Sequence, residues 1–242
     1  MKVGVIGFGR LGQLISKYMS QDFDLLIHDK DDKKTAIEEI GAKVSSLEEV
    51  CQCDIIIPAV PISAFENIIQ LISDKINPLA LVADVCSVKE IPANLMKKYL
   101  PDTVSILATH PMFGPDSAGK TLFGAKIVLC RVRMEDKIYL DIKDYLESHG
   151  MKVIEASPET HDKEISHSLL LTHFIGRTLM EVGAKRLNIE TKGYRRLMKI
   201  LETVENDSWQ LFQDMNTFNP YACETRQEFI EALSTINDKV KP

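Results

Sequence analysis

Lys2-Val-Gly-Val-Ile-Gly7-Phe-Gly9-Arg10-Leu11-Gly12-Gln-Leu-Ile-Ser-Lys-Tyr-Met-Ser20 decides the fold. A short apolar run enters a G-x-G-x-x-G turn and leaves it as an amphipathic helix. Strand before and helix after is the context in which that motif carries meaning. Gly7 permits the tight turn, Gly9 lets a pyrophosphate approach the backbone, and Gly12 lets the helix pack on the strand. Arg10 and Leu11 then stand in the first turn of the helix, where free N–H groups and the positive dipole end favour phosphate. A second strand, DLLIH, ends at Asp29, about 20 residues beyond the glycines, where a ribose-binding acid belongs. A carboxylate there accepts hydrogen bonds from the ribose hydroxyls and repels a 2′-phosphate. The reading is therefore NAD, with NADP the alternative that Lys30, Lys33 and Lys34 leave open.

Working outward, strands and helices alternate. Lys33–Ile40 reads as a helix closed by Gly41, and Ser46 to Glu49 has capping-box spacing. Asp54–Pro58 is a buried strand, and its end, Ala59-Val60-Pro61, lies where the cofactor's ribose would pass. Ile62–Ile76 is helical, Ala80–Val85 a strand, and a helix runs from there to Leu100. Val104–Thr109 is the next strand. Ala125–Arg131 and Met151–Glu155 add sheet on either side of a helix from about Glu135 to His149. The pattern predicts an α/β fold: a Rossmann-type, doubly wound, mainly parallel sheet.

The pattern changes at Ala156-Ser157-Pro158. Ser157 as N-cap and Pro158 at the first helical position open a helix of nearly thirty residues, to about Arg186. Only helical patterns follow, at Lys192–Glu205, Ser208–Asn216 and Pro220–Asn237. We read residues 1–156 as a dinucleotide-binding domain. Residues 157–242 read as a smaller all-helical domain, too small to cover its apolar faces alone and so expected to join a homodimer.

Composition narrows the partners. A net charge of -6 over 242 residues argues against nucleic acid bound on a basic face. No apolar run reaches membrane-spanning length, and the N-terminus reads as a strand rather than a signal peptide. Five cysteines form no regular framework. Cys51-Gln52-Cys53 lacks the companions of a metal site, so no metal is expected, and reduced thiols suit the cytoplasm.

Three residues stand out chemically. His110 follows the Val104–Thr109 strand and is pinned by Pro111, with Gly114-Pro115 turning the chain beyond. It reads either as a loop histidine or as an imidazole placed for acid–base work at the carboxyl edge of the sheet. Ser87, also at a strand end, reads as the N-cap of the next helix or as a hydroxyl facing the nicotinamide crevice. His173 shares one helix face with Ser166, Leu169, Gly176 and Met180, and reads as a satisfied core histidine or a site residue. Gly176, one turn on, allows close approach of backbone or ligand.

Those residues fall in longer matching stretches: VGVIGFGRLGQL from Val3, ADVCSVKEIPANL from Ala83, THPMFGPDS from Thr109, HDKEISHSLLLTHFIGRTL from His161 and ETKGYRRLMKILETVENDSWQLF from Glu190. Over nearly its whole length the chain resembles the prephenate and arogenate dehydrogenases of tyrosine biosynthesis, most closely the plant-type arogenate dehydrogenases. The resemblance implies oxidative decarboxylation: a cyclohexadienol gives up hydride from the carbon bearing its 4-hydroxyl, loses its ring carboxylate as CO2 and becomes aromatic. It implies that neutral His110 accepts the hydroxyl hydrogen bond, that Ser87 orients it, and that His173 lines the substrate pocket. It makes arogenate or prephenate the small-molecule substrate and Asp207, Lys199 and Lys192 its further binding groups. Asp207, in Asp207-Ser208-Trp209, is associated with arogenate in plant-type relatives and reads alternatively as a helix N-cap.

There are departures. Lys199, with Arg195 and Arg196 nearby, stands where microbial members often carry a carboxylate-binding arginine, and Leu169 where many are polar. Asp29 departs from the NADP-using plant-type pattern. Competing readings are another Rossmann reductase, of imine or 3-hydroxyacid dehydrogenase type, and a non-catalytic dinucleotide sensor.

Overall fold

The computed structural model describes residues 1–241. Two compact units are present, Met1–His161 and the residues from Asp162 onward. The division expected after Ala156 thus lies five residues further on, within the first turns of a helix. His161 bonds back to the sheet, as described below.

The first unit is built on strands β1 (Lys2–Ile6), β2 (Asp24–His28), β3 (Lys43–Val44), β4 (Ile55–Pro58), β5 (Leu81–Asp84), β6 (Ser105–Pro111), β7 (Lys126–Arg133) and β8 (Lys152–Glu155). They form one sheet in the order β3-β2-β1-β4-β5-β6-β7-β8. All pairs are parallel except β6 with β7. Helices α1 (Arg10–Met19), α2 (Lys34–Glu39), α3 (Leu47–Cys51), α4 (Ile62–Ser73), α5 (Glu90–Tyr99), α6 (Pro115–Ala118) and α7 (Asp136–Ser148) connect them. Near-continuous apolar strands fit a sheet covered on both faces. Val3, Val5, Phe8, Leu25, Ile27, Ile37 and Ile57 form one core cluster; Leu81, Leu107, Ile127, Leu129, Tyr139 and Met151 form another. Each such side chain contributes about 1.5–3 kcal/mol of hydrophobic stabilisation.

Chain order reverses at β1, which pairs β2 on one side and β4 on the other. Ile6 is in register with both His28 and Pro58. The glycine turn, Asp29 and Ala59-Val60-Pro61 therefore leave the sheet at one edge, where such folds bind ligands. Asp84 is in register with Ala108, so the segments after β5 and near the end of β6 share that edge.

One strand is longer than expected. β6 continues through His110 and Pro111, which pair with Val128 and Ile127 of β7. An antiparallel neighbour holds the histidine in the ladder, so it is a strand residue and not the first residue of a loop.

Helix α8 (Pro158–Ile165) opens as expected: Ser157 Oγ accepts from Thr160 N at 3.0 Å. The predicted unbroken helix is corrected beyond it. Ser166–Leu170 is a π-turn, and α9 (Leu171–Glu181) ends five residues before Arg186. Ser166 and Ser168 hydroxyls donate to the Lys163 and Glu164 carbonyls at 2.8 and 2.7 Å. Such back-bonding competes with the helical ladder. At the far end Gly183 adopts φ +69°, and Gly183 N and Ala184 N donate to Met180 O and Leu179 O in a Schellman closure.

The second unit continues with α10 (Lys192–Val204), α11 (Trp209–Phe218) and α12 (Ala222–Lys239). Ser208, not Asp207, caps α11, accepting from Leu211 N at 3.1 Å. Thr225 of α12 donates to Ser166 in the π-turn at 3.0 Å.

Candidate active site

The glycine turn has the shape of a phosphate cradle. Gly7 sits at φ +100°, and a Cβ there would lie 2.5 Å from the Ala59 carbonyl. A Cβ on Gly12 would lie 2.2 Å from the Gly7 carbonyl. Both glycines are thus required by contacts inside the protein. Gly9 differs, for a Cβ there meets nothing within 4 Å, so its bare face is open to a ligand. Gly9 is also the N-cap of α1 and offers no side-chain cap to the first turn, which Arg10 and Leu11 open. Asp29 accepts from Phe8 N at 2.5 Å and from Asp31 N at 2.9 Å. These bonds aim a half-buried carboxylate beside the turn. Val60 and Pro61 enter α4 on the neighbouring strand, with Pro61 as its N-cap. These residues fit a dinucleotide: an open glycine, a helix start and an acid at the second strand.

The segment after His110 returns to the same place. Arg10 pairs with both oxygens of Asp116 in α6 at 3.0 Å, and Tyr18 donates to Ala118 O at 2.8 Å. The ion pair is exposed and contributes little stability. Its importance is placement, since it ties α6 to the start of α1.

Beneath this edge lies a charged cluster. Asp84 and Lys89 are fully buried, and Lys89 Nζ donates to Asp84 Oδ1 and to the carbonyl of Thr109. Thr109 Oγ1 closes the loop by donating to Asp84 O at 2.6 Å. Burial raises the Asp84 pKa despite the attraction of Lys89. His110 is the next residue. It is 5% exposed, and its Nδ1 lies 2.8 Å from Nε2 of His161, itself 3% exposed. Burial, then His161, then the Lys89 charge hold its pKa well below the ordinary histidine value. The imidazole is neutral at pH 7.

Ser87 is not the helix cap. Lys89 occupies the N-cap position of α5. Nor does Ser87 orient His110 by a hydrogen bond, for its Oγ is buried and lacks a partner among the described residues. A buried hydroxyl left this way is one that a bound polar group would satisfy.

The helical unit holds a second cluster. His173 is buried on α9, its Nε2 3.7 Å from Asp207 Oδ2, and its Nδ1 has no partner among the described residues. Desolvation lowers its pKa, outweighing the pull of Asp207. It is therefore not a core histidine with both nitrogens satisfied. Arg177, one turn beyond His173, donates to the Asp207 carbonyl and lies 5.9 Å from the ring centres of Trp209 and Phe212. Lys192 and Lys199 are exposed on α10.

Three residues carry roles that the sequence reading does not assign. Lys89 was visible only as part of Ser-Val-Lys, and exposed lysine is the common case. His161 stands 51 residues from its partner. Arg177 lies within the stretch that begins at His161, with no role assigned to it there.

A doubly wound sheet with an open glycine turn, followed by a separate helical unit, defines a dinucleotide-binding protein of the Rossmann class. A family model described as "Prephenate dehydrogenase, nucleotide-binding domain" matches residues 21–155, and one described as "TYRAAT1-like, C-terminal domain" matches 178–241. The chain is 32% identical over 253 residues to "Arogenate dehydrogenase 2, chloroplastic" of Arabidopsis thaliana, covering 99% of this chain and 70% of that one. It is 27% identical to the "Probable arogenate/prephenate dehydrogenase" of Methanocaldococcus jannaschii, covering 97% of this chain and 55% of that one. The crystal structure of prephenate dehydrogenase from A. aeolicus, in complex with hydroxyphenyl propionate and NAD+, matches with a TM-score of 0.75 at 18% identity, over 98% of this chain and 90% of that chain. The chain belongs to the prephenate and arogenate dehydrogenase family of oxidoreductases and is similar to its plant-type members. No helix among the described residues is long and apolar enough to cross a membrane.

Proposed function

We propose that this protein catalyses the NAD-dependent oxidative decarboxylation of arogenate or prephenate. The observation that carries the reading is His110: a buried, neutral imidazole at the strand edge that also carries the dinucleotide turn. A bound nicotinamide supplies the hydride acceptor. His110 Nε2 accepts the hydrogen bond of the substrate's 4-hydroxyl and takes its proton as the carbonyl develops, which needs the neutral ring. Ser87 Oγ supplies a hydrogen bond to a bound polar group. His173 and Asp207 bind the substrate side chain. Lys192 and Lys199 are the basic groups offered to its carboxylates. Asp29 selects NAD by receiving the ribose hydroxyls and repelling a 2′-phosphate.

Arogenate is the favoured substrate, because only arogenate carries an ammonium and Asp207 sets a carboxylate 3.7 Å from His173 Nε2. The working protein is a homodimer. The reaction is tested by NADH absorbance with prephenate and then arogenate. His110→Ala should lower kcat by about 10²–10⁴-fold while NAD still binds. No NADH from either substrate, or near-normal turnover by the variant, would remove this reading.

A further inference from the structure

We infer that His161 is a positioning residue that fixes the tautomer of His110 and shares the proton His110 takes up. The inference rests on His110 being the base of the proposed reaction. Two imidazole nitrogens 2.8 Å apart form a hydrogen bond in which one donates and the other accepts. The two rings are inclined at 70° with centroids 5.0 Å apart, so they are not stacked and the nitrogen contact holds them together. If His110 Nδ1 carries the hydrogen, Nε2 keeps its lone pair and acts as a base. If His161 Nε2 carries it, His110 is left with its hydrogen on Nε2 and has no basic nitrogen to offer. The base role thus requires a neutral His161 that accepts at Nε2.

The local structure supports a fixed partner. Ser157 O accepts from His161 N at 2.9 Å, so the residue sits in a capped first turn and its ring is buried. As the hydroxyl proton arrives at His110 Nε2, the Nδ1 proton moves toward His161 Nε2. One proton enters the pair and no other bond changes. Lys89 lies beside the pair, its counter-charge is Asp84, and Asp162 follows His161 in the chain. Lys89 opposes a proton on His110, so a second ring that shares the charge lowers the barrier to accepting it.

The test uses ¹⁵N-histidine-labelled full-length protein with NAD, as wild type, His161→Gln and His161→Phe. Ring nitrogens are assigned by NMR, and kcat is followed against pH with prephenate and arogenate. Wild type and His161→Gln, whose Oε1 accepts, should show His110 with hydrogen on Nδ1. In His161→Phe the hydrogen should move to Nε2. For that variant kcat should fall about tenfold or more, with KM for NAD unchanged, because His110 no longer offers a lone pair at Nε2. His161→Gln should recover most of the rate. Hydrogen on His110 Nε2 in wild type, a His161→Phe variant with wild-type rate, or a His161→Gln variant as slow as His161→Phe would overturn the inference. If His161→Phe does not fold, the tautomers of wild type and His161→Gln decide. Absence of turnover in wild type removes the proposed reaction, while the nitrogen assignment still tests the pairing.

Discussion

A carboxylate can cap a helix or meet a ligand, and the neighbouring residue decides which is needed. Ser208 caps α11, and the Asp207 carboxylate lies 3.7 Å from His173. Reading the sequence left both roles open, because aspartate and serine cap equally well and stand side by side. The same holds for Ser87 and His110. The residue types were legible from motif and spacing, but the buried Asp84–Lys89 pair and the His161 contact depend on burial, which spacing does not carry. Asp207→Asn keeps the shape and removes the charge. A hydrogen bond to a charged group contributes about 1.5–3 kcal/mol, so the kcat/KM ratio of arogenate to prephenate should fall about tenfold or more. Steady-state kinetics with both substrates check this. An unchanged ratio would leave Asp207 without a part in substrate choice.

Helices in the second unit are set by where backbones touch. Gly176 was legible in the sequence as a point of close approach, though its partner was not. A Cβ there would stand 2.5 Å from Val204 Cγ2 and 3.3 Å from Ile200 O, so α9 and α10 meet at this glycine. Val204 is fully buried and β-branched, which restricts its room to turn away. Replacing glycine by alanine inside a helix gains about 0.8–1 kcal/mol of propensity. Overpacking costs about 1–3 kcal/mol, so crowding wins. Gly176→Ala should lower Tm by several degrees, read by circular dichroism. Adding Val204→Ala should relieve the clash, making the double variant less destabilised than the sum of the single changes. Additive losses would mean that the Val204 contact is not the cause. The π-turn was less legible, because Ser166 and Ser168 look like ordinary helix residues until their hydroxyls are seen bonding backward.

For the molecule as a whole, alternation of strand and helix was enough to reveal the sheet class, since each parallel strand needs a crossover. The exact end of a strand or helix was not, because β7 pairing and the Gly183 closure lie outside the hydrophobic pattern. Burying neutral histidines has a global consequence. His110 and His173 both have folded-state pKa values below the unfolded value of about 6.5. Their contribution is complete above about pH 6.5 and is lost as pH falls, because the unfolded chain then binds protons the native state refuses. Asp84, with its raised pKa, works the opposite way wherever it takes up a proton. The urea midpoint should therefore be lower at pH 5.5 than at pH 7.5, and an equal or higher midpoint would show that the histidines do not dominate. The final expectation concerns assembly. α12 carries Ile230, Leu233 and Ile236 at three-residue spacing, from 47% to 58% exposed. That spacing puts them on one helix face. An apolar stripe of this kind left in water favours association, and two-fold pairing is the commonest closed solution. Sedimentation at micromolar concentration should give a dimer. Leu233→Glu combined with Ile236→Glu should give a monomer with unchanged helical circular dichroism, because the stripe is exposed and its loss leaves the core intact. A wild-type monomer would remove the dimer, and a variant that stays dimeric would move the interface away from α12.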